Sequence, residues 1–356
     1  MLITGHTGFK GSWLSLCLDA LGADVHGFAL EPPTEPSLYR MAGVGQHIAS
    51  RMGEARGDVR GDVRDYPALR STILELRPAV IFHLAAQSLV RHSYHDPLAT
   101  YSTNVMGTVH LLEAVRELAL DCAVINVTSD KCYENSDVPH SYREGDRLGG
   151  RDPYSSSKAC AELVTSAYRE SFFSGMDPSG PNVSLASVRA GNVIGGGDWA
   201  TDRLLPDCVR AILSGQAIRI RNPGALRPWQ HVLDPLNGYL LLAERLYGGA
   251  SGFARGWNFG PDDVDTWQVA TVVARVVELW GSGGGTPAQV ILETAPQPHE
   301  AGRLELDCTL ARQQLGWLPA LSLETALEWT VDWYRRVSLG ESAEAITKAQ
   351  IERFLN

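Results

Sequence analysis

Short apolar runs alternate with stretches of helical periodicity through the first half of the chain. Leu2–Thr4, Val25–Leu30, Ala79–Leu84, Cys122–Thr128 and Val183–Val188 are apolar almost without interruption, the pattern of strands covered on both faces. Between them lie helical patterns at Gly11–Leu21, Tyr66–Leu76, Thr100–Leu118 and Tyr154–Phe173, the first with Trp13, Leu14, Cys17 and Leu21 on one side. This repeated β-then-α order predicts an α/β fold with a doubly wound parallel sheet. After Gly191 the alternation weakens and Gly and Pro punctuate it. Helices are predicted at Leu204–Ser214, Leu233–Tyr247, Thr266–Trp280 and Leu323–Val337, and a surface loop at Ser282–Gly285. The expected organisation is a sheet domain over 1–190 and a smaller lobe over 191–356, with a segment such as 233–260 returning to the sheet. The GDVR run at Gly57–Arg60 repeats at Gly61–Arg64 and reads as a local duplication in a loop.

Composition narrows the partners. The formal net charge of -10 provides no basic field for a nucleic-acid backbone or an acidic membrane. An anionic ligand would need a few local arginines. No apolar run approaches the ~18 residues of a membrane span, and no leader-like segment precedes the first strand. The six cysteines, Cys17, Cys122, Cys132, Cys160, Cys208 and Cys308, form no CxxC pair and mostly sit in apolar segments. They read as reduced thiols of a soluble cytoplasmic protein rather than a disulfide framework or a metal site.

The first strand runs into Gly5-His6-Thr7-Gly8-Phe9-Lys10-Gly11 and then a helix. In that setting Gly5 permits a tight turn, Gly8 lets the backbone approach a pyrophosphate, and Gly11 lets the helix pack close to the sheet. The helix N-terminus adds free N–H groups and the positive end of its dipole. A Rossmann-type dinucleotide site follows. Its ribose acid is Glu31, at the end of the second strand, or another residue, because Pro32-Pro33 follows directly. Asp62 and Val63 stand where an adenine would lie. His83-Leu84-Ala85-Ala86-Gln87 ends another strand, with Ala85 and Ala86 small enough for a cofactor to rest on the backbone. No arginine follows the second strand closely, which favours NAD over NADP.

Tyr154 and Lys158 form Tyr-x-x-x-Lys at a helix start, which puts both on one face. An ammonium beside a phenol favours phenolate, so Tyr154 is a candidate base, and Lys158 can also bind ribose hydroxyls. Ser129-Asp130-Lys131 lies at the carboxyl end of the strand Cys122–Thr128, where such sheets bind ligands. It brings a hydroxyl, a carboxylate and an amine to the same place.

On these residues the chain resembles the extended short-chain dehydrogenase/reductase family, and within it the CDP-glucose group of nucleotide-sugar 4,6-dehydratases. The resemblance is carried by GHTGFKGSWL at Gly5–Leu14, HLAAQSLVRHSY at His83–Tyr94, TYSTNVMGTVHLLEAVR at Thr100–Arg116 and TSDKCY at Thr128–Tyr133. It continues in DPYSSSKACAELVTSAYR at Asp152–Arg169, RAGNVIGGGDW at Arg189–Trp199 and RPWQHV at Arg227–Val232. It implies a redox-neutral dehydration of CDP-glucose with tightly held NAD, Tyr154 acting on the 4-hydroxyl, Asp130 as acid for the 6-hydroxyl and Lys131 as the C5 base. The sister dTDP-glucose enzymes carry Asp-Glu where this chain has Asp130-Lys131. The same resemblance implies that Phe9, Lys10, Leu84, Gln87 and Asn104 join the cofactor site. Ser88, Arg91, Asn192, Leu205, Arg219 and Arg227 are implied for the nucleotide sugar, and a homodimer built on Thr100–Leu118 and Tyr154–Phe173, or a tetramer, is implied for the assembly. The stretch His299–Arg303 departs from the family pattern at Gly302 and Arg303, and the lead before Gly5 is shorter than usual in the family. The rival readings are a dTDP-glucose dehydratase, a 4-epimerase, which needs no second acid–base pair, and a non-catalytic NAD-binding protein, which needs no Tyr154–Lys158 pair.

Overall fold

The nearly continuous apolar runs become the strands of one sheet. In the computed structural model, which describes residues 1–48, 58–135, 138–174, 182–283, 288–293 and 303–356, the wind begins with β1 (Leu2–Thr4), α1 (Phe9–Ala20), β2 (His26–Ala29), α2 (Leu38–Met41), β3 (Asp58–Arg60), α3 (Tyr66–Leu76) and β4 (Val80–His83). It continues through α4 (Val90–His95), α5 (Pro97–Tyr101), α6 (Gly107–Glu117), β5 (Cys122–Val127), β6 (Ser141–Tyr142), α7 (Pro153–Ser171) and β7 (Val183–Ala190). The remaining chain forms β8 (Asn192–Ile194), α8 (Leu204–Leu213), β9 (Ile218–Ile220), β10 (Leu226–His231), α9 (Leu233–Tyr247), β11 (Gly256–Phe259), β12 (Thr266–Gln268) and α10 (Val269–Ser282). It ends with β13 (Val290–Leu292), β14 (Glu305–Leu306), α11 (Leu323–Ser338) and α12 (Ala343–Leu355).

Seven strands lie in the order β11-β7-β5-β4-β1-β2-β3, every pairing parallel. All residues of β5 and β7 are buried, so both faces of the sheet need cover. On one face Leu69 and Ile73 of α3 join Leu111, Leu112 and Val115 of α6 over Phe28, Ile81 and Val124. On the other, α1, α9 and the C-terminal helices share one larger apolar cluster with the smaller lobe. The chain leaves β1 for β2 and β3 on one side and returns to β4 on the other. The switch point therefore lies at the carboxyl ends of β1 and β4, where doubly wound sheets open a crevice. Beyond that edge, short sheets of β12-β10-β8, β13-β9 and β14-β6 frame the lobe.

Four local readings are corrected. Thr266–Gln268, expected as the start of a helix, is the strand β12, paired antiparallel with Leu226–Pro228; the helix begins at Val269. The Gly57–Arg64 repeat is not all loop. Asp58–Arg60 pairs with Gly27–Ala29 as the sheet's edge strand, where a short run needs apolar cover less than a central strand does. The helix expected over Thr100–Leu118 is broken by a π-helical turn at Ser102–Met106, after which Gly107 packs so close that a Cβ there would meet Val63 Cγ2 at 2.7 Å. Ser282 ends α10 rather than opening a loop, and Gly57, residues 284–285 and residues 299–302 of the departing stretch lie outside the described residues.

Candidate active site

The loop after β1 is shaped by two glycines. Gly5 has φ +77°, and a Cβ there would meet Ala85 N at 2.6 Å; at Gly11 a Cβ would meet Gly5 O at 2.3 Å. Gly8 caps α1 without a side-chain hydrogen bond, so the first N–H groups of the helix are left for a ligand. Thr7 Oγ1 donates to Leu30 O at 2.8 Å, tying the loop to the end of β2. Beneath it, Thr4 Oγ1 lies 2.7 Å from His83 Nδ1, joining the ends of β1 and β4.

These ends open into a cavity of about 1110 Å³. Gly5, Gly8, Phe9, Lys10, Gly11, Glu31, Asp62, Val63, Leu84, Ala85, Ala86 and Gln87 line it on the glycine-loop side. An extended dinucleotide fits that cradle: a glycine-walled loop, an uncapped helix N-terminus and a small-residue wall. Asp62 is engaged by its neighbour, since its carboxylate accepts from Arg64 N at 2.9 Å and from Arg64 Nε. Glu31 sits at the rim with Arg40 3.3 Å away. An arginine thus does approach the second strand's end, nine residues on, but Glu31 and Glu35 both hold it, so its charge is matched. Asn104 does not line the cavity. It is buried behind the wall, where its Oδ1 accepts from Gln87 N at 2.9 Å and its Nδ2 donates to Gln87 O at 3.0 Å and Ser157 Oγ at 2.8 Å. From there it shapes the Gln87 turn of the cavity wall.

Asp152 and Ser155 form a capping box with Pro153 at the first turn of α7, which fixes where the helix starts. One turn apart on it, Tyr154 and Lys158 are 7% and 6% exposed, both on the cavity. The Lys158 ammonium donates to Val127 O at 3.3 Å. Burial lowers it to about 8, against the opposing pull of the Glu162 carboxylate. Burial raises the Tyr154 phenol, while the Lys131 ammonium and a hydrogen bond with Ser129 act to lower it. The cation that favours phenolate most in this structure is therefore Lys131, with Arg203 next among the cations, and not Lys158 as the helical spacing suggested.

Ser129 Oγ donates to Asp130 Oδ1 at 2.9 Å, and Lys131 Nζ lies 3.3 Å from the same oxygen. Asp130 is 1% exposed and its Oδ2 has no hydrogen-bond partner, although it borders the cavity. A buried carboxylate oxygen left open in this way is suited to a ligand hydroxyl. Lys10, from the glycine loop, lines the same cavity, where the Asp130 charge favours its ammonium. Burial and the charge of Arg203 push its ammonium down to about 7.

Ser88, Arg91, Asn192, Leu205, Arg219 and Arg227 line the far half of the cavity. Arg219 is exposed, 3.9 Å from Glu293. Sequence reasoning missed Arg203 and Arg221. Arg203 Nη1 lies 2.8 Å from Asp198 Oδ2, and its Nη2 donates to Ser88 Oγ at 3.0 Å. Arg221 and Arg91 share Asp202 Oδ1, at 2.9 and 3.0 Å. No motif marked these residues; their only signal was the scarcity of basic groups in an acidic chain. Together they form a cationic wall suited to a diphosphate.

Residues 2–330 match the family described as GDP-mannose 4,6 dehydratase. The chain is 49% identical over its full length to the CDP-glucose 4,6-dehydratase of Salmonella typhimurium, covering 96% of that protein. It is 27% identical to the UDP-glucose 4-epimerase of Mycolicibacterium smegmatis, over 95% of this chain and 99% of that one. Among solved structures, it is similar to the NAD-bound crystal structure of DesIV, a dTDP-glucose 4,6-dehydratase from Streptomyces venezuelae. There the TM-score is 0.74 and the identity 26%, over 94% of this chain and 96% of that one.

Proposed function

The chain belongs to the GDP-mannose 4,6-dehydratase family of nucleotide-sugar enzymes, and we propose that it is an NAD-dependent hydro-lyase that converts CDP-glucose to CDP-4-keto-6-deoxyglucose and water. The observation that carries this reading is the Asp130–Lys131 pair at the end of β5, facing the same cavity as Tyr154. Full-length identity of 49% to an enzyme acting on CDP-glucose supports the choice of nucleotide.

Tyr154 takes the proton of the glucose 4-hydroxyl, with Ser129 hydrogen-bonded to the phenol as an orienting group. Bound NAD supplies the acceptor for the C4 hydride and the source of the hydride returned to C6. The glycine loop, Val63, Leu84–Gln87 and Lys158 are the residues that would hold it. The ketone left at C4 acidifies the C5 hydrogen. Lys131 removes that proton, and Asp130 protonates the departing 6-hydroxyl, so that one water leaves; C5 is reprotonated as C6 receives the returning hydride. Lys131 must be neutral when it removes the C5 proton. Arg91, Arg203, Arg221 and Arg227 grip the diphosphate, with Asn192 and Leu205 beside the nucleotide. A 4-epimerase, the second reading, is favoured by the relative at 27% identity but leaves Asp130 and Lys131 without a task.

The chain is read as a cytoplasmic homodimer. Among the described residues no helix is long and apolar enough to cross a membrane. Tyr101 on α5, Met106 in the π turn, and Leu163 on α7 expose apolar surface that a second copy would cover; sedimentation would count the subunits. The function is tested by mass spectrometry of CDP-glucose, dTDP-glucose, UDP-glucose and GDP-mannose, each incubated with the protein and NAD. Loss of one water from CDP-glucose alone is expected. Loss from another donor overturns the nucleotide assignment, and no loss from any overturns the dehydratase.

A further inference from the structure

Behind Tyr154 and Lys158 lies a buried ion pair that the chemistry above does not use. Glu162, one turn beyond Lys158 on α7, is 3% exposed, and Arg189 on β7 is 4% exposed. Arg189 Nη2 and Glu162 Oε2 are 2.7 Å apart. Ser187 Oγ donates to the same oxygen at 2.7 Å, and Thr128 Oγ1 donates to Glu162 Oε1. Arg189 Nη1 donates onward to Tyr133 Oη at 2.6 Å and to Glu144 O at 3.1 Å, and Tyr133 donates to Asn258 Oδ1 at 2.7 Å.

Thr128 directly precedes Ser129-Asp130-Lys131, and Val127, whose carbonyl receives the Lys158 ammonium, directly precedes Thr128. Two side chains one helical turn apart thus hold two consecutive residues of the strand end. We propose that Glu162, made ionic by Arg189, is a positioning residue that sets both the charge and place of Lys158 and the seat of Ser129, Asp130 and Lys131. This rests on the reading of Lys158 as a cofactor-holding residue.

The electrostatics fit. Burial alone would raise the Glu162 carboxyl, but Arg189, Thr128 and Ser187 hold it below the usual carboxylate range, so it is an anion at neutral pH. The groups facing Lys158 are Lys10 from the glycine loop, His83 at the end of β4, Cys132 in the turn after β5, and Tyr154 and Glu162 on its own helix. His83 is neutral, driven down to about 3 by burial and then by the Lys158 charge. Burial raises the Cys132 thiol, which is therefore neutral as well, and Lys10 opposes protonation. The charge that most favours the Lys158 ammonium is that of Glu162.

The test is the pH dependence of NAD affinity, followed by fluorescence on the full chain and read without any sugar. In the wild type, binding weakens as pH rises through the Lys158 ionisation at about 8. In Glu162→Gln this limb moves down by about one pH unit, which makes NAD binding at pH 8 weaker by up to about tenfold. Because Glu162→Gln leaves Arg189 buried without a counter-charge and is at risk of not folding, the charge-neutral double variant Glu162→Gln/Arg189→Gln is measured beside it, with the same shift expected. Thr128→Val is expected to lower the dehydration rate without moving the limb, and Thr128→Ser to restore it. A folded variant lacking Glu162 whose limb and NAD affinity match the wild type overturns the proposal. Because the limb is read on NAD alone, an unchanged sugar with a normal wild-type limb would sink the dehydratase and leave this inference standing.

Discussion

At the glycine-loop end of the cavity the wall is largely backbone. Gly5, Gly8 and Gly11 bring main chain to the surface, Ala85 and Ala86 keep it low, and an uncapped helix start supplies the polarity. At the opposite end the wall is made of long cationic side chains from four separate stretches, Arg91, Arg203, Arg221 and Arg227, two of them sharing one carboxylate on Asp202. A dinucleotide common to many enzymes can be met by a rigid local motif. A substrate peculiar to one enzyme is met by side chains that vary without disturbing the fold. The Ser129–Lys131 turn sits where the two kinds of wall meet.

The sharpest way to probe the junction is Lys131→Ala. It is expected to reduce overall dehydration by about 10²–10⁴-fold while oxidation at C4 persists. Absorbance at 340 nm on mixing with CDP-glucose, set beside product by mass spectrometry, separates the two steps, and normal turnover would remove Lys131 from the mechanism. At the backbone end, Gly5→Ala forces a left-handed residue that costs about 1–2 kcal/mol before its collision with Ala85 N is counted. The expected outcome is a lower melting temperature and loss of bound NAD, with nothing a ligand could restore. At the cationic end, Arg221→Ala is expected to leave the melting temperature and kcat near the wild type and to raise KM for CDP-glucose about tenfold. Equal damage from Gly5→Ala and Arg221→Ala to both NAD and sugar binding would erase the distinction.

The smallest effect concerns Lys10, on the glycine-loop wall and subject to the charge of Arg203. Its ammonium is lowered to about 7 on folding from an ordinary value of 10.5. Between those values the unfolded chain binds the extra proton, so this residue's penalty shrinks as pH rises from 7 towards 10.5. Lys10→Met is therefore expected to raise the melting temperature of the ligand-free protein by a few degrees at pH 7 and by less at pH 10. A gain independent of pH would mean that packing rather than charge is responsible.

Much of this was legible in the residues because the signals are local. The period of Tyr66–Leu76 and Leu233–Tyr247 located both helices to the residue, since an apolar face repeats within the element itself. The glycine spacing before α1 located the cradle, since a tight turn and a close approach each need a missing Cβ. Ser129, Asp130, Lys131, Tyr154 and Lys158 were singled out and the structure gathers them on one cavity. The short strands Asp58–Arg60 and Thr266–Gln268 were not legible. An edge strand and a three-residue ribbon are stabilised by their partners' backbones, and no periodicity of their own records this.

What the sequence determined by itself is therefore whatever depends on neighbours a few residues away: the wound order of strands and helices, the glycine cradle, the helix-borne Tyr154–Lys158 pair and the Ser129–Lys131 turn. Only the tertiary structure decided which charge faces which. It turned the Lys158 ammonium to Val127 and set Lys131 beside the Tyr154 phenol. It withdrew Asn104 behind the wall and brought Arg203 and Arg221, over a hundred residues from the loop of Ser88 and Arg91, to that loop's side of the cavity. Charge interactions act through space and depend on burial, and neither the distance nor the burial of two remote side chains is written in their separation along the chain.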